Sequence, residues 1–329
     1  MRIARMFLAG MLTGISALAA AQAPAPAIAG PVSLVVPYPA GGASDITARI
    51  FSDPIGKELG VPVVVENIGG ATGAIAVQKM LNAPADGRIV YQGSQNEVLL
   101  PPLTIRGTRY QPSDFEIVHP ITTTRLVLVV RKGLPVHNLQ EFVDLARSRG
   151  ASAPLSYGSP GVGSLYHLVA DSMGKLASAR LNHIPYKGGA PLMQDLIGDR
   201  VDFTVMAFST TMLASVQAGH YRIIANMSKD KPRDLAGLPS VSDLPVFKDV
   251  DYASNAAYYV RKGTPPAVRQ LLNTAIGAVV ASPAVVKALE ADGRRVPPRM
   301  SIADAERFYQ GEIARYRNVV QLTGFQPVD

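Results

Sequence analysis

Two glycine-rich turns hold the residues whose types and spacing could do chemistry. The first runs from Pro37 to Asp45 and includes Gly41 and Gly42, and the second runs from Ser156 to Ser164 and includes three glycines. Each turn follows a short apolar run and precedes a stretch with helical periodicity. Because the first amides of a helix have no intrahelical partners and lie at its positive dipole end, each turn predicts an anion site.

The composition of the two turns limits what they could bind. Neither contains lysine or arginine, so backbone N–H groups and hydroxyls would hold the anion, which favours a small carboxylate over a bulky polyanion. The first turn lacks the GxGxxG order of dinucleotide sites, and the second lacks the lysine of a P-loop. Ordinary turn chemistry stays open as an alternative, with Ser44 and Ser164 acting only as helix caps.

Strand and helix patterns alternate along the chain and predict two α/β units, each with a parallel sheet between helices. The predicted strands are 32–36, 61–65 and 88–91, then 126–130, 155–157, 180–186, 201–205 and 221–226. The predicted helices begin near residues 45, 72, 138, 164, 191 and 210. Pro54 predicts a break in the first helix, because proline lacks the N–H that the helix needs. Ligands of such sheets bind beyond the carboxyl ends of the strands.

The last third of the chain predicts three helices, starting at Thr264, Ser282 and Ser301, the last ending at Gly324. A short internal echo, VRKGLP at 130–135 and VRKGTP at 260–265, indicates two crossings between lobes, near Val130 and Val260, which would absorb a rotation. The alternative is that the two segments are ordinary strand ends with no role in a crossing. The predicted boundaries are 30–125 with 250–329 for lobe 1, and 126–249 for lobe 2.

Composition excludes several classes of protein. The chain has 329 residues, 47% of them hydrophobic, a formal net charge of +7, and neither cysteine nor tryptophan. Disulfide scaffolds and thiolate metal sites are therefore excluded, and the scattered charge gives no case for nucleic acid. No cofactor or metal site is predicted. Five histidines accompany no GxSxG or HExxH pattern, so a hydrolase of a small acid is only a lesser alternative.

The amino-terminal residues 1–21 predict an export signal. Arg2 and Arg5 precede an apolar run, and small residues at Ala19 to Ala21 offer a cleavage site near Ala21. The apolar run is shorter than the roughly 20 residues that a membrane span needs. The mature protein is therefore expected outside the cytoplasm.

Five segments, in order along nearly the whole mature chain, carry a family resemblance. They are PYPAGGASDITAR at 37–49, VVVENIGGATGAIA at 63–76, ADGRIVYQGS at 85–94, LSYGSPGVGSLYHL at 155–168 and HIPYKGGAPLMQDLIGDRVDF at 183–203. Together they resemble the Bug family, the periplasmic solute receptors of tripartite tricarboxylate transporters.

The resemblance implies a type II-like, two-lobed periplasmic binding protein fold, α/β in class, that closes on a small organic carboxylate. It implies a monomer that passes its ligand to membrane permease subunits and is not an enzyme; a sensor presenting ligand to a signalling partner is the alternative. Carried over position by position, the implied ligand-binding residues are Gly41, Gly42, Ala43, Ser44, Asp45, Ser94, Gly163 and Ser164.

Two departures from the family pattern bear on specificity. Family members often have an aspartate at the end of the strand that here reads Val205-Met206-Ala207-Phe208, and an aromatic residue near Asn255. The carboxylate-holding turns are intact while the distal wall is altered. The expected ligand is therefore more apolar than a dicarboxylic amino acid, or differently shaped.

Overall fold

The computed structural model describes residues 28–70, 73–230, 235 and 237–329. The predicted export signal and its cleavage position lie outside these residues. Ten strands run in chain order: β1 Val32–Val36, β2 Val63–Asn67, β3 Ile89–Ser94, β4 Phe115–Arg131, β5 Leu155–Ser159, β6 Leu181–Pro185, β7 Phe203–Ala207, β8 Tyr221–Asn226, β9 Ala253–Arg261 and β10 Arg294–Arg295.

Eleven α-helices alternate with these strands in the described residues. They are α1 Ala43–Leu59, α2 Ala74–Asn82, α3 Gln95–Val98, α4 Pro101–Thr104, α5 Leu139–Arg149, α6 Leu165–Ala177, α7 Gly189–Ile197, α8 Thr211–Gln217, α9 Pro266–Val280, α10 Pro283–Glu290 and α11 Ile302–Thr323. No single helix in the described part of the chain is long and apolar enough to cross a membrane; the pair α9 and α10, bent by 65°, reaches that length and composition only when taken together.

The strands form one mixed sheet that divides into two lobes at β4. In lobe 1, β1 pairs in parallel with β2 and β3, and β9 joins β3 to β4 by antiparallel pairing. In lobe 2, β5 pairs in parallel with β6 and β7, while β4 pairs antiparallel with β7 and β8. The α/β class and the two-lobed fold are confirmed, with a parallel block of three strands in each lobe.

The exchange of partners along β4 places the crossing between the lobes. Residues 115–125 of β4 pair with β9, and from Leu126 onward the same strand pairs with β7. The two VRKG segments lie at the ends of β4 and β9, the two strands that cross between the lobes. Their expected position at the crossing is wrong, however, because Val260 pairs with Glu116 and Val130 with Phe203, at the two outer ends.

Helices cover both faces of the sheet, as the alternating pattern predicts. On one face of lobe 1, helices α1, α9 and α10 pack against the sheet. Phe51 of α1 and Ile276 of α9 are buried there together with Leu34 of β1. On the other face one continuous core runs through both lobes and includes Tyr91 and Leu165. A smaller core under α7 and α8 completes lobe 2.

The predicted break at Pro54 is wrong, since α1 runs unbroken through it. Ala48, Phe51 and Ile55 are all buried on the same side of this helix, before and after the proline. Packing of the apolar face therefore outweighs the loss of one backbone hydrogen bond.

Candidate functional site

The first glycine turn connects β1 with α1 and has the geometry of an open helix N-terminus. Gly42, not the expected Ser44, occupies the cap position, with φ −79° and ψ 169°. Gly41 has φ +83°, a conformation that favours glycine. The described residues offer no protein acceptor for the N–H groups of Gly42, Ala43 and Ser44. These amides are therefore available to a ligand or to water.

Asp45 acts inside its own turn. Its Oδ2 accepts hydrogen bonds from the Gly41 N–H at 2.8 Å and from Arg49 Nε at 3.0 Å. These bonds, the one from Arg49 first, lower the pKa of the Asp45 carboxyl. The charged side chain therefore fixes the glycine turn, which presents the unpaired amides.

Ser94 is the last residue of β3 and caps α3. Its N–H and Oγ both donate to Glu97 Oε2, at 2.7 and 2.8 Å, while the Asn96 N–H donates to the Ser94 Oγ at 3.2 Å. This reciprocal arrangement is a capping box, which the spacing Ser94-x-x-Glu97 could have revealed from sequence. Ser94 is therefore a structural cap in the present conformation.

Glu97 joins this cap to the first glycine turn. Its side chain is fully buried, and its Oε1 accepts a hydrogen bond from the hydroxyl of Tyr38, which lies in the β1–α1 turn. Burial raises the pKa of Glu97, and burial together with the Glu97 charge raises the pKa of Tyr38. The predicted Gly41 to Asp45 turn and the predicted Ser94 are thus held together by two side chains that the sequence analysis missed.

The second glycine turn connects β5 with α6 and is capped as expected. The Ser164 Oγ accepts from the His167 N–H at 3.4 Å and donates to the Gly161 carbonyl at 2.7 Å. Gly163 has φ +73°, and its N–H donates to His167 Nδ1 at 3.0 Å. The polar groups of this turn are therefore largely satisfied by the protein itself.

Direct contacts join the second turn to lobe 1. The Leu165 N–H at the start of α6 donates to Asn96 Oδ1 at 3.1 Å. A Cβ placed on Gly163 would lie 2.8 Å from the Cβ of Thr104 in α4, so only glycine fits here. Burial, with the Glu97 charge as the second cause, raises the pKa of Tyr166 to about 12. The turn of lobe 2 is therefore already closed against α3 and α4.

Behind the second turn, two imidazole rings stack face to face. His167 and His183 have ring centroids 3.7 Å apart and an angle of 8° between ring planes. His183 Nε2 lies 2.7 Å from Ser159 Oγ. Burial lowers the pKa of each histidine to about 4, so both are neutral at physiological pH. No local pattern in the sequence indicates this pair, because the two residues belong to different elements.

All eight predicted site residues lie at the end of a strand, in the turn that follows it, or at the start of the next helix. Hydrogen bonds link the first turn to the Ser94 cap through Tyr38 and Glu97, and link α3 to α6 through Asn96. In the described residues, no group of three or more histidine, aspartate or glutamate side chains is placed to hold a metal ion.

Comparisons with known proteins agree with this architecture. Residues 47–325 match the family described as "Tripartite tricarboxylate transporter family receptor". Protein BugT of Bordetella pertussis is 30% identical over 302 residues, which is 89% of each chain.

Two solved structures extend the agreement to the fold. Rpa4515 of R. palustris, solved with adipate, superposes with a TM-score of 0.79 at 29% identity and covers 91% of this chain and 99% of its own. The periplasmic binding protein BugD gives a TM-score of 0.73 at 25% identity, with coverage of 91% and 99%.

The two-lobed fold, with helix-start turns of both lobes meeting at the crossing strands, defines a periplasmic solute-binding protein. Within that class, the chain belongs to the receptor family of the tripartite tricarboxylate transporters, as its resemblance to the Bug family predicts. It is a receptor of this family, whose members work in the periplasm.

Proposed function

We propose that this protein captures a small dicarboxylate between its lobes and delivers it, unchanged, to the membrane subunits of a tripartite transporter. The observation that carries the proposal is the row of unpaired amides at Gly42, Ala43 and Ser44, at the start of a long helix. An acid group placed there would meet N–H donors and the positive end of the α1 dipole.

The remaining predicted residues would complete the enclosure. Asp45 and Gly41 hold the shape of the first turn, and Ser94 lines the junction beside it. Gly163 and Ser164 would close over the ligand, mainly through shape, because their polar groups are already paired. Closure would exclude water and strengthen the amide–carboxylate hydrogen bonds.

The proposed hinge is the crossing at β4 and β9. The change of strand partners at Arg125 and Leu126 supports the boundaries 30–125 with 250–329 for lobe 1 and 126–249 for lobe 2. Small-angle scattering on the mature chain, with and without adipate, tests this: ligand should shift the distribution toward the compact form. An identical curve in both conditions would contradict closure.

The proposed ligand is a linear dicarboxylate without an amino group. The adipate held by Rpa4515 supports this class, and so does Met206 near the end of β7, which offers no carboxylate to an ammonium group. Calorimetry should show adipate binding well ahead of aspartate or glutamate. Tight binding of either amino acid would contradict the proposed specificity.

Retention of the ligand separates a receptor from a hydrolase. We expect mass spectrometry to recover adipate unchanged and in full after long incubation with the protein. Identification of what co-purifies after gentle release would name the natural ligand directly. Consumption of the acid would instead favour an enzyme.

A further inference from the structure

A cavity of about 410 Å³ lies at the crossing of the lobes, outside the site described above. Its walls come from β4, β9, β10, α11 and the segment that follows β8. None of the eight predicted carboxylate-binding residues lines it. This volume is within the range of small-molecule sites, roughly 300 to 1,000 Å³.

The strand register separates this cavity from the lobe junction. Thr123 pairs with Asn255 and Arg125 with Ala253, so these four side chains share one face of the β4–β9 pair. Ser254, the residue between, points to the other face and accepts a hydrogen bond from Gln95 of α3 at 3.1 Å. The cavity and the α3–α6 contact therefore lie on opposite sides of the crossing strands.

Positive charge dominates the cavity wall. Its lining contains five cationic side chains and three carboxylates, an excess of two positive charges. The cationic residues are Arg125, Lys229, Arg295, Arg307 and Arg315. They come from separate elements of both lobes, so their convergence is a product of the tertiary fold.

The three lining acids, together with Asp304, which pairs with Arg307, leave part of the donor capacity of Arg295, Arg307 and Arg315 unused. Asp230 contacts Arg295 and lies 3.7 Å from Arg125 Nε, and Glu312 Oε1 lies 3.6 Å from Arg315 Nε. Asp251 contributes its backbone carbonyl to Arg315 Nη1 at 3.0 Å. Each guanidinium carries five N–H donors. These arginines can therefore donate hydrogen bonds to a further anion without breaking these pairs.

The floor of the cavity is polar and internally ordered. Asn255 Nδ2 donates to Glu312 Oε2 at 2.7 Å, and Asn255 Oδ1 accepts from Thr123 Oγ1 at 2.8 Å. Burial raises the pKa of Glu312, and the hydrogen bond from Asn255 acts against that shift. The buried acid is thus held at the floor while the arginines form the walls.

We propose that this hinge cavity is a second binding site, for a small dianion with oxygen acceptors, either a dicarboxylate or a phosphate. The site is independent of the carboxylate cleft. Binding would rest on charge-assisted hydrogen bonds from Arg295, Arg307 and Arg315, with Lys229 adding charge at the rim.

The test measures succinate and inorganic phosphate binding by calorimetry at constant ionic strength, using the mature chain with Gly42→Val to silence the cleft. In that background, the double substitution Lys229→Ala with Arg307→Ala removes two exposed cationic groups from the wall. Arg88→Ala with Arg200→Ala is the matched control, since it removes two exposed, ion-paired arginines away from the cavity.

We expect saturable binding of at least one probe, weakened about tenfold or more by the cavity substitutions and unchanged in the control. Succinate alone would identify a dicarboxylate site, and phosphate alone a phosphate site. No saturable binding of either probe, or equal loss in both double variants, would overturn the proposal. Adipate binding to the chain that retains Gly42 measures the cleft separately. The cavity substitutions should leave that binding unchanged.

Discussion

The buried acidic side chains around the first glycine turn mainly hold backbone amides in position. Asp45 and Glu97 are buried carboxylates, yet each accepts hydrogen bonds from the protein itself. Because they shape the turns, the N–H groups of Gly42, Ala43 and Ser44 stay available. The recognising groups that we propose therefore belong to the backbone, and side chains determine their position.

Substitution of Gly42 by valine should remove carboxylate binding with little effect on folding. The residue has an ordinary φ, and an added Cβ would come no closer than 3.4 Å to Pro39 O, so the fold can accommodate it. We expect a stability loss of about 1 kcal/mol or less, typical of a changed N-cap, but at least about tenfold weaker adipate binding. Calorimetry and urea unfolding measure the two effects.

Gly107→Val is the matched control, because Gly107 is exposed with open space around it. It should change neither property. If Gly42→Val instead unfolded the protein, the glycine turn would be needed for folding alone, and its assigned role in binding would lose its support.

The stacked histidines predict a loss of stability in acid. Each has a folded-state pKa of about 4, below the ordinary 6.5, so the unfolded chain binds protons more readily. Their contribution is complete above about pH 6.5 and is lost as the pH falls toward 4. Protonation of His167 Nδ1 would also break its hydrogen bond from the Gly163 N–H.

Between about pH 7.5 and pH 4.5 the two lowered pKa values would together take about 5 kcal/mol from the free energy of unfolding, and partial solvent screening of the rings brings our expectation to roughly 2 to 3 kcal/mol. His183→Gln should flatten that dependence in denaturant titrations. His220→Gln, at an exposed position, is the matched control. A pH profile identical in all three proteins would show that the pair is not the cause.

At the scale of elements, two short helices and one long one decide how the lobes meet. The side-chain Oδ1 of Asn96, in α3, accepts a hydrogen bond from the Leu165 N–H, the first amide of α6, and Thr104, in α4, lies against Gly163. A helix start that sequence alone predicts as an anion site is thus partly filled by a side chain from the other lobe. The protein's own contacts therefore stabilise this junction.

Asn96→Ala should shift the lobes toward an open arrangement. The substitution removes the acceptor of the Leu165 N–H, worth about 1 kcal/mol, and should weaken adipate binding about fivefold. Scattering of the ligand-free protein should also report a larger radius of gyration. Asn182→Ala, on the exposed side of β6, is the control. Unchanged affinity and dimensions in Asn96→Ala would count against a role in closure.

At the scale of the whole molecule, one hydrophobic core joins the lobes. It includes Tyr91 of β3, Leu128 of β4, Leu165 of α6 and Tyr316 of α11, all nearly inaccessible to solvent. The hydroxyl of Tyr316 also donates to the Ala253 carbonyl at 3.0 Å, where β9 begins. The lobes are therefore not independent folding units.

Thermal unfolding should accordingly occur in a single transition. Scanning calorimetry of the mature chain is expected to give a calorimetric enthalpy about equal to the van't Hoff enthalpy. Tyr316→Ala should lower the transition temperature of the whole molecule, because the cavity it leaves lies in the shared core. Two resolved transitions would mean that the lobes unfold separately.

Local patterns in the sequence determined most of the elements and several of their ends, although α3, α4 and the first half of β4 were not predicted. Asn138, Ser164 and Ser301 cap their helices as predicted, and Gly324 ends the last one in a left-handed conformation. The same local chemistry located both glycine turns. These features depend on contacts within a few residues, and a sequence displays such contacts directly.

Only the tertiary structure decided how those turns are used. Burial on one side of α1 overrode Pro54, strand pairing moved the crossing away from the VRKG echo, and Asn96 reached the start of α6 from the other lobe. Each outcome depends on groups far apart in the chain that pack or pair only after folding. No local pattern encodes such a contact, because its free energy depends on the burial and geometry of both partners together.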